Sequence, residues 1–549
     1  MLLASLTHLN VKAPDGVSIV NVQLKAFGDA HVEEIVPNMN FGSEQGLLVE
    51  SYPTGDARVF IVFDLSSVPP GSYVTYARLF LYMYVAPDVQ RTYECDRIVN
   101  PWSETGITWD NQPGVEGLGE STALIGTAPN VDVSWDVKNW VQNFVSGSIS
   151  ATPNHGWRIK DKSENSLTLY NAIFRSREYG DPHYVPVLTM SYYPPHLELE
   201  TYGSAFAAGN WVKMTVHRKD YSNIPVARGE LKVKLSSTST SANKKFSLTQ
   251  GGAPITELTI EDGSSSKDFW YYDDKAGTWT IRVWNTDYVN YGDDSEQQTV
   301  NPGALDRFTF AAISSPKTAG VSFSMSIVAT DAYGNTVTGY TGTNSLSDTT
   351  GTVSPTVTGA FVGGIWSGNV VINKVASNVK ISTSGGGKAG ESNVFNVVAG
   401  PPAKLLITPS SFTMAAGVQY SSLTIALQDA NGFETTAAAP ITVSLATASP
   451  DGEFRQAGTT TKITSVTLPA GLSSATVDYY DIKGGTWRLT ASAAGLTSGT
   501  SIVTVVPDTT PPVTTIIVGL PRYQVGATLY TGGMTTIELS ATDEASGVK

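Results

Sequence analysis

Beyond residue 195, apolar and polar side chains alternate in short runs that end at Gly, Asn or Asp. The clearest runs are "ELKVKLSS" (230–237), "TWTIRVWN" (278–285), "ITVSLATA" (441–448) and "TWRLTASA" (486–493). A period of two turns one face of a β-strand toward a core and the other toward water. The pattern therefore predicts antiparallel sheets whose strands are joined by short turns.

One phrase in this region is written twice. Residues 271–283 read "YYDDKAGTWTIRV" and residues 479–491 read "YYDIKGGTWRLTA". Between them, residues 371–383 ("VINKVASNVKIST") keep the alternation without the aromatic side chains, and the offsets between successive copies are 100 and 108. A fixed period of this kind indicates a structural repeat.

A second marker has the same period. In four places a glycine opens an alternating strand, and an aspartate followed by a small turn closes it 11 or 12 residues later. The four pairs are Gly209 and Asp220, Gly320 and Asp331, Gly417 and Asp429, and Gly532 and Asp543. We interpret the aspartates as turn residues, because an aspartate side chain accepts a hydrogen bond from the backbone two residues on.

Proline-containing joints separate these repeats: "YYPPHLE", "VNPGALD", "VVAGPPAKL" and "VVPDTTPPVTT". Proline cannot donate to a sheet ladder and marks edges and connectors. Units of about 100 residues with this texture are typical of Greek-key β-sandwiches. The predicted division is an N-terminal segment (1–19), a separate β-sandwich (20–194), three sandwich repeats (195–303, 304–400 and 401–507), and a linker with an incomplete fourth repeat (508–549).

The last unit has only the first half of a sandwich, with an apolar face and unpaired edges. We expect the natural protein to continue past Lys549, or this segment to pair with another molecule. From residue 196 onward the repeats resemble the immunoglobulin-like (Ig-like) modules of bacterial and archaeal proteins, including invasin and adhesin stalks. That resemblance implies spacer modules. It agrees with interpreting Trp279 and Trp487 as packing residues rather than ligand-stacking ones.

Residues 20–193 carry different phrases. "RVFIVFDL" and "ARLFLYMYV" predict two strands joined by a Pro-Pro-Gly turn, and "PVLTMSYY" predicts a closing strand. In "WDVKNWVQNFVSG", Trp135, Trp140 and Phe144 fall near one face of a helix that Gly147 ends. The sum predicts an all-β fold: a jelly-roll-like sandwich with one short helix, followed by tandem Ig-like Greek-key sandwiches.

Five ordered motifs in this unit resemble the DNRLRE (disaggregatase-related) domain, which overlaps carbohydrate-binding module family 96. They are "DAHVEEIVPNMNFGS", "FDLSSVPPG", "WSETGITWDNQP", the "WDV" helix and "FRSRE". The resemblance implies a secreted or cell-surface accessory domain, of which some members bind acidic polysaccharides. It implies binding rather than catalysis.

Sugar sites use aromatic faces for the rings and charged or amide groups for hydroxyls and carboxylates. The candidates are Trp102, Glu104, Trp109, Asn111, Arg175, Arg177, Glu178 and Tyr179. The alternative is structural, because Trp in a jelly roll is usually core and an Arg–Glu pair is usually an internal bridge. Asp29, Glu33, Glu34 and Asn38 could form a calcium loop, or a solvated acidic edge.

The net charge and the absence of certain motifs argue against several classes of function. The chain of 549 residues has a formal net charge of −14 and no Lys/Arg run, which argues against nucleic acid and anionic membrane surfaces. No stretch has the ~18–20 apolar residues of a membrane helix. The single cysteine, Cys95, cannot form an intrachain disulfide. Signatures of zinc proteases, serine hydrolases, P-loops and Rossmann folds are absent.

The sequence therefore predicts a non-enzymatic extracellular or cell-surface protein, with a polysaccharide- or glycan-binding head on an Ig-like stalk. Two alternatives remain open. The chain could be the accessory part of a larger polysaccharide lyase or glycoside hydrolase. It could also be a filament or surface-layer subunit that associates with itself through sheet edges.

Overall fold

The structure is a computed structural model that describes residues 18–507, 509 and 511–542. The predicted N-terminal segment up to residue 17, and Asp543 of the fourth repeat marker, lie outside the described residues. The chain forms two compact units, one ending at Gly303 and the other beginning at Ala304. Among the described residues, no helix is long and apolar enough to span a membrane.

The N-terminal part of the first unit, here called the head, comprises residues 18–194. Its helix is α1 (Lys138–Phe144). Its strands are β1 (Val20–Glu33), β2 (Gly46–Ser51), β3 (Ala57–Phe63), β4 (Tyr73–Val85), β5 (Arg91–Ile98), β6 (Val115–Ile125), β7 (Val131–Asp136), β8 (Trp157–Asp161), β9 (Tyr170–Arg175) and β10 (Val187–Tyr193).

The long strand β1 closes the head sheet on itself. Its first half pairs with β10 and its second half with β3, and the register shifts between Ala26 and Gly28. The strand order is β1-β10-β4-β9-β2-β3-β8-β5-β6, with β7 on β4. The enclosed core includes the fully buried rings of Trp135, Trp157 and Phe174. The predicted all-β fold class is confirmed.

The predicted strands of the head correspond to β3, β4 and β10. The predicted helix is present but shorter, and its buried residues are Trp140, Val141 and Phe144. Trp135 is not on it: this residue belongs to β7, where the indole is fully buried and donates to the Tyr93 carbonyl at 3.2 Å. The five-residue spacing from Trp135 to Trp140 turns by about 140° on a helix, so the two rings would not share one face. The strand ladder with β4 satisfies the backbone of Trp135 instead.

Cys95 lies in the middle of β5 with its side chain fully buried. Burial, followed by the charge of Asp96, raises the pKa of the thiol. We predict that a thiol reagent such as DTNB leaves the native protein unlabelled for hours and titrates one thiol per chain in denaturant. Fast labelling of the folded protein would contradict this burial.

Residues 195–303 form a two-sheet sandwich. The sheets have the orders β11-β13-β17-β15 and β12-β19-β18-β14-β16. The strands are β11 (His196–Thr201), β12 (Ala205–Ala207), β13 (Asn210–Lys219), β14 (Leu231–Ser237), β15 (Lys245–Ser247), β16 (Glu257–Ile260), β17 (Ser266–Asp273), β18 (Gly277–Asn285) and β19 (Asp294–Asn301).

The second unit begins with three smaller sheets over residues 304–400. They have the orders β20-β22-β25-β24, β21-β29-β26 and β23-β27-β28. The strands are β20 (Arg307–Phe310), β21 (Lys317–Thr318), β22 (Phe323–Thr330), β23 (Ser345–Asp348), β24 (Val353–Ser354), β25 (Ile365–Ile372), β26 (Ala376–Val379), β27 (Ile381–Gly385), β28 (Lys388–Glu391) and β29 (Phe395–Val398).

Residues 401–507 form another two-sheet sandwich, with the orders β30-β32-β37-β34-β35 and β31-β39-β38-β33-β36. The strands are β30 (Lys404–Thr408), β31 (Ser411–Ala415), β32 (Tyr420–Gln428), β33 (Ile441–Thr447), β34 (Glu453–Gln456), β35 (Lys462–Ile463), β36 (Ser465–Leu468), β37 (Ser474–Tyr480), β38 (Gly485–Ser492) and β39 (Gly499–Val506).

Two two-stranded sheets follow, β40-β43 and β41-β42. Their strands are β40 (Val513–Val518), β41 (Arg522–Val525), β42 (Thr528–Thr531) and β43 (Ile537–Thr542). Apolar side chains on these strands, such as Ile516 and Leu539, are exposed, in contrast to the buried cores of the preceding repeats.

The repeat markers occupy equivalent positions. Gly209, Gly320 and Gly417 all have a positive φ, between 71° and 83°. Each donates its N–H to a carbonyl near the end of the strand paired with the one it precedes: those of Asp273, Ile372 and Asp481. A left-handed backbone favours glycine, so the repeated glycine is a turn requirement.

The repeated aspartates close the turn after each alternating strand with the same hydrogen bonds. Oδ1 of Asp220, Asp331 and Asp429 accepts the N–H two residues on, at 2.8–2.9 Å. The backbone N–H of each aspartate also donates to the carbonyl four residues on. The predicted turn role is confirmed.

The twice-written phrase is a buried corner. The Tyr479 hydroxyl donates to Asp481 Oδ2 at 2.8 Å, and Lys483 N–H donates to Asp481 Oδ1 at 2.8 Å. The Trp487 indole then donates to the Lys483 carbonyl at 2.9 Å. Tyr271, Asp273, Lys275 and Trp279 make the same contacts in the first copy. In the middle copy this stretch covers the end of β25, all of β26 and the start of β27, which belong to three different sheets.

Candidate functional site

The loop of residues 99–114, which carries four of the predicted sugar-binding residues, is held down on the head. Asn40 Nδ2 donates to the carbonyls of Glu104 and Ile107, each at 2.7 Å. A Cβ at Gly42 would lie 2.1 Å from the Glu104 carbonyl oxygen, so this close approach requires glycine. The residues of "NFGS" therefore hold this loop against the head.

Three predicted residues of that loop have structural contacts. The half-buried Trp102 donates its indole N–H to the His155 carbonyl at 2.8 Å, and its ring meets Phe60 edge-on. Trp109 packs on the same small core under the Arg58 guanidinium, which is 4.4 Å from the ring centroid. Asn111 closes the loop, accepting from Thr108 N–H and donating to the Gly106 carbonyl.

Glu104 belongs to a group that we call the carboxylate cluster: Asp29, Glu104 and Glu178. One oxygen from each lies within 4.8 Å of the others. Asp29 lies on β1, Glu104 on the 99–114 loop, and Glu178 in the turn after β9. Three segments distant in sequence thus meet at one end of the head.

Arg177 is the cation beside this cluster. Its Nη1 donates to both Glu104 oxygens, at 2.8 and 3.0 Å, and its backbone N–H donates to Asp29 Oδ2 at 2.9 Å. Its Nε lies 3.7 Å from Glu178 Oε1. Burial is the main cause that raises the pKa of Asp29 to about 8, with the neighbouring carboxylates adding to it.

The other acidic residues of the predicted calcium loop lie elsewhere. Glu33 Oε1 contacts His31 Nε2 at 3.2 Å, Glu34 Oε2 accepts from the Asp56 N–H, and Asn38 is exposed. Among the described residues, the carboxylate cluster is the one group of three or more His, Cys, Asp or Glu side chains close enough to share a metal ion. Of the predicted calcium loop it includes only Asp29.

Arg175 and Tyr179 belong to a second group, here called the tyrosine–arginine surface: Tyr82, Tyr84, Arg175, Tyr179 and Tyr184. The Arg175 guanidinium lies between two rings, 3.7 Å from the centroid of Tyr84 and 3.9 Å from that of Tyr179. Tyr184, which is 37% exposed, packs against Tyr82 with ring centroids 4.3 Å apart. A depression beside Tyr82 is lined by Phe80, Asp132 and Val185.

Sequence reasoning missed Tyr82, Tyr84 and Tyr184. The first two alternate with Leu81 and Met83, which are fully buried in the core, so the period-two pattern of "LFLYMYV" already puts them on the outer face. That signal was available. Their convergence with Arg175 depends on β4 pairing with β9 across a register shift, which the sequence does not display.

Among solved structures, the chain is similar to the Escherichia coli adhesin FdeC, at 17% identity over 57% of this chain and 97% of that chain, with a TM-score of 0.33. It is also similar to InvD of Yersinia pseudotuberculosis, at 15% identity over 56% and 96%, with a TM-score of 0.31. It is also similar to invasin, a bacterial integrin-binding protein, at 12% identity over 62% of this chain and 67% of that chain, with a TM-score of 0.27. These likenesses are too weak to carry a functional argument.

A search of curated proteins finds no match for the chain. One family model matches part of the chain, and the matched residues lie in the head. Residues 20–192 match the family model of carbohydrate-binding module family 96.

Proposed function

We propose that the head binds an acidic polysaccharide through the tyrosine–arginine surface, in a non-catalytic protein exposed outside the cell. The observation that carries this is Arg175, held between two tyrosine rings beside the exposed Tyr184. A guanidinium pairs with a sugar carboxylate through two parallel hydrogen bonds. Flanking aromatic rings offer faces to the C–H-rich side of a sugar ring.

The stacking of Arg175 favours a role in binding. The rings of Tyr84 and Tyr179 hold its guanidinium in one orientation, so little conformational entropy is lost when a ligand binds. The family match over residues 20–192 supports a carbohydrate as the ligand.

We further propose that the remaining sandwiches act as a stalk, divided at residues 194/195, 303/304, 400/401 and 507/508. Support comes from buried clusters of residues 197–291, 308–397 and 405–505, with Phe433 of the last of these sandwiches packed against the middle cluster. Each repeat then folds around its own core and acts as a spacer that carries the head.

The test is binding of the full chain to a polyuronate and to a neutral β-glucan, measured by calorimetry or affinity electrophoresis. We expect polyuronate binding that weakens with salt, and a loss of at least tenfold in Arg175→Ala. A charge-assisted hydrogen bond contributes about 1.5–3 kcal/mol. Tyr184→Ala is expected to weaken binding less, because it removes a sugar contact and no charge.

The matched control is Arg282→Ala, which removes another arginine stacked on an aromatic ring, Trp284, outside the head. It should bind like the wild type. If the wild type binds no acidic or neutral polysaccharide, the proposed function is wrong. If Arg175→Ala folds normally by circular dichroism and binds undiminished, the site is wrong.

A further inference from the structure

The carboxylate cluster has features that polysaccharide binding does not explain. Asp29 is only 1% exposed, and its Oδ1 has no hydrogen-bond donor among the described residues. Oε2 of Glu178 is likewise buried without a partner in the described part of the chain. One oxygen of each carboxyl group lies within 4.8 Å of the other, and two carboxylates can only accept hydrogen bonds.

The charges in the cluster do not cancel. Three carboxylates face the single guanidinium of Arg177, which is already engaged by both oxygens of Glu104. Buried charges are normally paired or coordinate metals, because an unpaired one is costly to remove from water. Either a proton shared by Asp29 and Glu178, or a bound cation, would relieve the repulsion between them.

The distances favour a cation. Calcium binds oxygen ligands at about 2.3–2.6 Å, so two of its ligands lie at most about 5 Å apart. The three carboxylate oxygens are within 4.8 Å of one another and meet this limit. They come from different elements, since Asp29 is on a sheet strand and Glu104 is on the loop held by Asn40, and the Asp29 N–H donates to Glu104 Oε1 at 2.9 Å.

We propose that Asp29, Glu104 and Glu178 bind one divalent cation, calcium, which ties the 99–114 loop and the turn after β9 to strand β1. Waters and backbone carbonyls would complete the six to eight oxygen ligands that calcium takes. The set differs from the calcium loop expected from sequence, which shared only Asp29. It does not depend on the proposed function, because calcium binding and polysaccharide binding are measured separately.

The experiment titrates CaCl₂ into the chelator-treated full chain by calorimetry, with MgCl₂ as a second arm. We expect one calcium per chain, with a Kd of about 10⁻³ M or below. Magnesium, which dehydrates reluctantly and demands octahedral geometry, should bind more weakly. Calcium should also raise the midpoint of the thermal transition of the unit that contains the head.

Asp29→Asn and Glu178→Gln should each weaken calcium binding at least tenfold. Glu178 is less buried, so Glu178→Gln decides the matter if Asp29→Asn does not fold. The control is Glu116→Gln, an exposed carboxylate paired with Arg97, which should bind calcium like the wild type.

Three outcomes would overturn the proposal. The first is no calcium binding at millimolar concentration, which would assign the cluster to a shared proton. The second is undiminished binding in a folded Glu178→Gln. The third is loss of binding in Glu33→Gln while Asp29→Asn binds normally, which would move the ion to the loop predicted from sequence.

Discussion

Replacing Gly156 by alanine is expected to unfold the head at temperatures where the wild type is stable. Gly156 has φ +85°, and an added Cβ would lie 2.0 Å from the Ile61 carbonyl oxygen and 2.8 Å from Val62 Cα. These are backbone atoms of a central strand and cannot move aside. Left-handed strain and overpacking together cost about 3–5 kcal/mol, a large part of the stability of a domain.

Calorimetric melting of the full chain measures this effect. The transition of the unit up to Gly303 should move down by many degrees, while that of the unit from Ala304 stays in place. Gly180→Ala is the matched control in the same head, because an added Cβ there has no atom within 4 Å. Equal melting of the two variants would show that Gly156 does not pack against Ile61 in the way described.

The repeat region was predictable because its signals are local. In the first three pairs the glycine that opens the strand has a positive φ, and the aspartate side chain closes a turn by accepting a backbone N–H two residues on. Each marker therefore determines the structure of a few neighbouring residues. The same holds for the three strands of the head that were predicted from sequence, β3, β4 and β10. Where the signal was helical in appearance, at Trp135, the sheet ladder with β4 prevailed.

The candidate sites were only partly predictable. "FRSREYGD" correctly brought Arg175 together with Tyr179, and Arg177 together with Glu178, because those pairs are close in sequence. The carboxylate cluster joins residues 29, 104 and 178, which are 74 or more positions apart (178 − 104 = 74), and nothing in a single sequence pairs them. Whether a tryptophan such as Trp102 binds sugar or anchors a loop depends on what its indole N–H contacts, which only the fold decides.

The twice-written phrase leads to the second large effect. Asp481→Ala is expected to destabilise the sandwich of residues 401–507 by about 2–4 kcal/mol. The Tyr479 hydroxyl and the Lys483 N–H both lose their acceptor, and Asp481 and Tyr479 are fully buried. The Asp481 backbone carbonyl still accepts from Gly417, so the strand pairing itself has no reason to change.

Urea melts of the full chain measure this loss. The signal of Trp487 is the difference in fluorescence between the protein that contains Trp487 and the Trp487→Phe variant. Tyr479→Phe removes the hydrogen bonds of the hydroxyl to Asp481 and Thr447, but it should cost less than Asp481→Ala because it keeps the acceptor of the buried Lys483 N–H. Asp451→Ala, at an exposed position of the same sandwich, should leave the midpoint unchanged. Asp273→Ala should reproduce the effect in the sandwich of residues 195–303, where Asp273 has the same two contacts. If neither aspartate affects stability, the phrase is repeated for a reason other than this corner, and a ligand contact at the two tryptophans becomes the better explanation.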